Sequence, residues 1–113
     1  MDYQQIYTRE EIQEAMDRDA SLVYFSSHTC NVCKVLKPKV AEMIHKHFHE
    51  MNLFYLDIEK SPLLSGQFRI FTIPTILVFF EGKEFFRLSR NIGLDELQKG
   101  IERPYKMLFP EDQ

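Results

Sequence analysis

The chain has 113 residues, of which 44% are hydrophobic and 27% charged; this is room for one domain with one core, and it excludes a disordered or fibrous chain. Fourteen Lys and Arg against seventeen Asp and Glu leave a formal charge of -3, which speaks against binding nucleic acid by phosphate neutralisation. Residues 1–5 lack the start of a signal peptide and no apolar run reaches membrane-spanning length, so the expectation is a cytoplasmic protein with no membrane or nucleic-acid partner.

No repeat or composition shift divides residues 1–113, which read as a single domain. A weak strand is expected around residues 3–7. Thr8 then caps a first helix, Glu11 completes a capping box, and Ile12, Ala15 and Met16 form its apolar stripe, with the end near Asp19. Residues 22–25 form a compact apolar strand that the small polar residues 26–29 break. From Cys33 to about Glu50, Leu36, Val40, Met43, Ile44, His47 and Phe48 recur at helical spacing, and Pro38 is expected to kink that helix. Residues 53–58 read as a strand, and Ser61-Pro62 as the cap and first turn of a short helix through Phe68. Residues 75–80 and 84–88 flank Glu81-Gly82-Lys83 as an antiparallel hairpin. Leu94, Leu97 and Ile101 line a last helix that Pro104 is expected to end. The order predicts an α/β protein, a mixed sheet flanked by helices, whose central strands 22–25 and 75–80 are apolar enough to be covered on both faces.

Cys30 and Cys33 are the only cysteines. A disulfide between them closes so short a loop that it restrains the unfolded chain little, which leaves redox chemistry or metal binding as the use of the pair. At a helix N-terminus Cys30 lies where free N–H groups and the helix dipole stabilise a thiolate, the attacking species in disulfide exchange. Cys33 is spaced to attack the mixed disulfide that follows, and His28 and Lys34 can add positive charge nearby. A zinc site needs two further ligands from elsewhere, since there is no second cysteine pair, and no bound metal or cofactor is expected.

The segment Leu22-Val23-Tyr24-Phe25-Ser26-Ser27-His28-Thr29-Cys30-Asn31-Val32-Cys33-Lys34 resembles the strand, active-site loop and helix start of the thioredoxin family. Pro38, Ile73-Pro74-Thr75 and Gly82 fall in the same ungapped frame, so the resemblance covers nearly the whole chain. It implies the thioredoxin fold, Cys30 as nucleophile, Cys33 as resolving thiol, a cis bond before Pro74, and pairing of the Ile73 backbone with an extended substrate segment. It also implies disulfide-containing protein substrates and an external reductant, either a flavoprotein thioredoxin reductase using NADPH or a low-molecular-weight thiol.

Several residues depart from the family pattern. Tyr24 stands where the family has a buried aspartate, Tyr55 where a lysine commonly accompanies it, and Asn31-Val32 in place of Gly-Pro; Ser26 and Thr29 replace two tryptophans. Cys33 must then lose its proton to water, His28 or another group. Without a buried anion, a more acidic Cys30 is expected, with a potential between about -270 mV for thioredoxin and about -180 mV for protein disulfide isomerase. Arg90 replaces a glycine beside the substrate groove, where it either favours acidic partners or is solvated. Tyr24 and Tyr55 read most simply as core aromatics. His45 and His49 share the spacing for one ion, but a solvated helix end is the simpler account. Lys34, Lys37 and Lys39 either steer anions or keep the helix soluble. Met107, Leu108 and Phe109 are expected to pack within the chain.

The expected function is a monomeric thiol-disulfide oxidoreductase that reduces or exchanges protein disulfides through Cys30 and Cys33. The alternatives are a binding or chaperone-like module of the same fold, and a redox-sensing or metal-holding pair.

Overall fold

The computed structural model describes residues 3–112; Met1 and Asp2, part of the segment read above for targeting, lie outside the described residues. The elements run β1 (Gln4–Gln5), α1 (Arg9–Met16), β2 (Ala20–Ser26), α2 (Asn31–His47), β3 (Asn52–Asp57), α3 (Pro62–Gln67), β4 (Thr75–Phe80), β5 (Lys83–Ser89) and α4 (Leu94–Leu108). The expected order is present. The five strands form one sheet in the order β1-β3-β2-β4-β5, with β1, β3 and β2 parallel and β4 and β5 antiparallel to their neighbours.

Strand alternation divides the core in two. Leu22, Tyr24, Leu53, Tyr55, Ile76, Val78 and Phe80 face α2 and α4, packing with Val40, Ile44, Leu97, Ile101 and Tyr105. Val23, Phe25, Phe54, Leu56, Leu77 and Phe79 face the other way, onto Ile12 and Ala15 of α1 and Leu64 of α3. Every residue of β2 and β4 is buried, as two covered faces require.

Thr8 caps α1 with the expected capping box: its hydroxyl accepts from the Glu11 N–H, and the Glu11 carboxylate accepts from the Thr8 N–H. Ser61 does not cap α3 in the expected way. Its hydroxyl donates instead to the Tyr7 carbonyl at 2.9 Å, tying the chain before α1 to α3. The hairpin loop is two residues, not three, because Glu81 and Gly82 both take positive φ (53° and 84°), the handedness that lets Phe80 pair directly with Lys83.

Pro38 sits inside α2 without interrupting it. Pro104 likewise fails to end α4, which runs on to Leu108. Packing outweighs the lost backbone donor: Tyr105, 1% exposed, lies edge-on to Phe48 at 4.9 Å and close to Phe109 at 4.8 Å. Its hydroxyl accepts from the Glu50 N–H and donates to Asp112. Leu108 and Phe109 pack back onto the core as expected, whereas Met107 is exposed.

Candidate active site

The chain leaves β2 at Ser26 and turns through residues 27–29 into α2. α2 begins at Asn31, earlier than the periodicity suggests, because Cys30 itself is its N-cap: the Cys33 N–H donates to Cys30 Sγ at 3.2 Å. A sulfur held there lies against unpaired helix N–H groups that favour its anion. Cys30 and Cys33 are joined by a disulfide, with Cα atoms 5.3 Å apart. Cys30 is half-buried, whereas Cys33 is fully buried.

Pro74 reaches this point through sheet register. Thr75 pairs with Phe25, so the preceding proline lies level with the end of β2, from which the cysteine loop departs. The Ile73–Pro74 bond is cis, and Pro74 is buried. Its carbonyl accepts from the Arg90 N–H at 2.9 Å, while the Thr75 hydroxyl donates to the Thr72 carbonyl at 2.7 Å. Among the described bonds none uses the Ile73 N–H or carbonyl.

Arg90 has φ 65°, a left-handed conformation that glycine adopts freely and arginine does not. It lines a groove of about 610 Å3 with Asn31, Val32, Val35, Leu36 and Lys39, directly beside the cysteine loop. Val32 and Val35 are exposed there. A larger groove of about 850 Å3, bounded by Tyr3, Lys37, Pro38 and His45, holds no group that reacts with a disulfide.

Tyr24 and Tyr55 stack across β2 and β3 with ring centres 6.2 Å apart. Tyr24 is fully buried and its hydroxyl donates to the Cys33 carbonyl at 2.7 Å; burial first, and Tyr55 second, push that hydroxyl far above its ordinary range. Lys37 is not simply solvated: its ammonium lies 3.9 Å from the centre of the Tyr55 ring, and burial lowers its pKa. Lys34 is exposed in the first turn of α2.

His28 does not stand free beside Cys30. Its Nδ1 lies 2.9 Å from Asp57 Oδ2, and the same oxygen accepts from the His28 N–H at 3.2 Å. Asp57 ends β3 opposite Ser26 and is 4% exposed. Burial alone raises its pKa, but the bonds from the His28 ring and from the Glu59 and His28 N–H groups outweigh it and hold the carboxyl below the usual range. The expectation of a site without a buried anion is therefore corrected. Tyr24 brings no acid beside Cys33, yet Asp57, reached from the next strand, lines a cavity of about 240 Å3 with Cys33, His28, Lys34 and Tyr55. A more oxidising disulfide therefore no longer follows from the lack of a buried anion.

Sequence reading missed Asp57 and Glu59. The available signal was an acid closing an apolar strand, since a buried carboxylate requires a partner. His28, Asp57 and Glu59 each place one ligand atom within 4.8 Å of the others. Both Asp57 oxygens are already engaged, Oδ2 by His28 and Oδ1 by the Glu59 N–H, and the Ser27 and Thr29 hydroxyls both donate to Glu59 Oε2. That arrangement reads as a hydrogen-bonded network holding the loop. His49 meets Asp112 at 3.3 Å, and its ring centre is 6.2 Å from that of His45. No described helix is long and apolar enough to cross a membrane.

Comparison with known proteins agrees with this geometry. The family described as Thioredoxin matches residues 4–103. The chain is 32% identical over 102 residues to a thioredoxin of Chlamydia muridarum, covering 88% of this chain and 96% of that protein. It is 28% identical over 87 residues to the thioredoxin-like protein YdfQ of Bacillus subtilis, covering 77% of each. Among solved structures, a thioredoxin of Halobacterium salinarum superposes with a TM-score of 0.81 at 20% identity, over 92% of this chain and 91% of that one. Oxidised mitochondrial thioredoxin 3 of Saccharomyces cerevisiae gives 0.79 at 18%, over 88% and 93%. The five-stranded mixed sheet, the disulfide at the head of α2 and the family match over residues 4–103 together establish that this chain belongs to the thioredoxin family.

Proposed function

We propose that the protein is a thiol-disulfide oxidoreductase, a single domain that reduces protein disulfides through Cys30 and Cys33. The observation that carries this reading is the asymmetry of the pair: Cys30, accessible at the N-cap of α2, is bonded to a fully buried Cys33. The Cys30 thiolate attacks one sulfur of a substrate disulfide, and the other sulfur leaves as a thiolate. Cys33 then attacks Cys30 Sγ, forming the internal disulfide and releasing the second substrate thiol. Two electrons pass to the substrate. An external reductant, either a thioredoxin reductase or two molecules of a low-molecular-weight thiol that end as their own disulfide, returns them in a reducing cytoplasm.

The free backbone groups of Ile73 beside Pro74 suit an extended substrate, and no bound cofactor is needed. Arg90 and Lys39 at the rim of an apolar groove favour substrates with acidic residues near the attacked cysteine. The protein acts as a monomer in this reading. A docking module without turnover is the second reading, which the exposed Val32 and Val35 of that groove favour.

Trapping separates the two. Cys33→Ser is expected to accumulate mixed disulfides on Cys30 in cells, and Cys30→Ser to abolish reduction of a generic protein disulfide. An empty trap, with wild-type turnover equal to that of Cys30→Ser, refutes the enzyme. Metal content of the purified reduced protein tests the metal-holding alternative.

A further inference from the structure

Resolution of a mixed disulfide requires the Cys33 thiol to lose its proton, yet Cys33 is fully buried. Its contact with water is the cavity of about 240 Å3 bounded by Gln5, Ser26, His28, Lys34, Lys37, Tyr55, Asp57 and Lys60. The lysines are cations, the glutamine, serine and tyrosine are poor bases, and the Tyr24 hydroxyl is occupied as a donor to the Cys33 carbonyl. Two proton acceptors remain on that wall, the Asp57 carboxylate and the His28 imidazole. They are joined to each other at 2.9 Å.

The joint has a direction. Asp57 is buried, so its carboxylate needs a donor, and the His28 tautomer that supplies Nδ1–H leaves Nε2 with a free lone pair. The His28 side chain is 57% exposed, so Nε2 can exchange its proton with solvent. We propose that His28, set in this tautomer by Asp57, accepts the Cys33 proton through water in the cavity as the mixed disulfide resolves. Asp57 is a positioning residue and His28 the base.

The step balances. The Cys33 S–H bond breaks and its proton passes by water to Nε2, while the Cys33 electron pair forms the bond to Cys30 Sγ. The bond from Cys30 to the substrate sulfur breaks, and its electron pair leaves on that sulfur. In the opposite direction the imidazolium returns the proton as Cys33 is released. The charged groups around the pair are Lys34 and Lys37 from α2, Lys60 after β3, and Glu59, which the Ser27 and Thr29 hydroxyls hold on the loop side.

The inference rests on the proposed exchange reaction, and one experiment separates the two. The reduced full chain is mixed with excess 4,4′-dithiodipyridine, an uncharged disulfide whose released thiol is read by absorbance. Attack by Cys30 gives a phase that scales with reagent concentration, and resolution by Cys33 gives one that does not. The proposal expects His28→Gln to slow the second phase about tenfold or more and the first less than about twofold, the size of a lost general base. Asp57→Asn should slow the same phase, and added imidazole should restore it in His28→Ala. The pH dependence of the second phase should change in both His28 variants.

A second phase within about twofold of wild type in His28→Gln overturns the proposal, as does equal slowing of both phases, since a general base acts on one step. A wild-type trace with no phase beyond that of Cys33→Ser overturns the exchange reaction itself. His28→Gln alters a half-exposed side chain, so the test does not depend on the folding of Asp57→Asn.

Discussion

Tyr24→Phe isolates one buried hydrogen bond at the head of α2. Tyr24 is fully buried, and its hydroxyl donates to the Cys33 carbonyl at 2.7 Å. The substitution removes one oxygen and keeps the ring that stacks on Tyr55 and lies tilted against Tyr3. The carbonyl left behind lies within the first turns of α2, so its loss is one bond and not an orphaned group, about 1 kcal/mol. For a chain of this length that is a fall of about 3–6 °C in Tm. The assay is thermal and urea unfolding of the disulfide form, with an unchanged urea slope showing that the unfolded state is the same. Tyr55→Phe is the internal comparison, because no described bond uses its hydroxyl, and a change within about 0.5 kcal/mol is expected. Equal effects of the two substitutions, or a Tyr24→Phe protein as stable as wild type, refute the assignment of that bond.

Acid should weaken the fold in part through Asp57. Its folded pKa lies below the unfolded value of about 3.9, so its contribution is complete above that value and is lost as pH falls through the folded pKa. Urea midpoints measured from about pH 6 to about pH 3 should therefore fall less steeply in Asp57→Asn than in wild type. Tyr105→Phe removes a hydroxyl, pushed up to about 12 chiefly by burial, that accepts from Glu50 and donates to Asp112. The expected cost is about 1–2 kcal/mol, with faster hydrogen exchange at the Glu50 amide. Arg90→Gly relieves a left-handed backbone while freeing the unfolded chain, so stability should stay level or rise by up to about 1 kcal/mol. The same variant should lose preference for acidic over neutral disulfide peptides in competition; unchanged preference removes Arg90 from substrate selection.

Much of the architecture was legible because it rests on local patterning. The capping box at Thr8 and Glu11, the apolar runs of β2 and β4 and the turn at Glu81-Gly82 are short-range features whose physics lies within a few residues. The cysteine pair was legible for the same reason, since three-residue spacing at a helix start places both sulfurs together whatever surrounds them. Pro104 was misread because a local rule against proline in helices was outweighed by the burial of Tyr105 against Phe48 and Phe109. Ser61 was misread because its hydroxyl found the Tyr7 carbonyl, 54 residues away.

The residues around the sulfurs divide along the same line. Legible from residue pattern were the mixed sheet flanked by helices, the position of Cys30 at the start of a helix and, through the family resemblance, a tyrosine at residue 24 where an acid is usual. Which buried acid lies beside Cys33 was settled by the fold. Parallel pairing of β3 with β2 sets Asp57 opposite Ser26, and the turn after β2 then brings His28 onto its carboxylate, 29 residues away in the chain. A buried charge is tolerated only where the fold supplies its partner, and that partner is chosen by strand register, which no local pattern encodes.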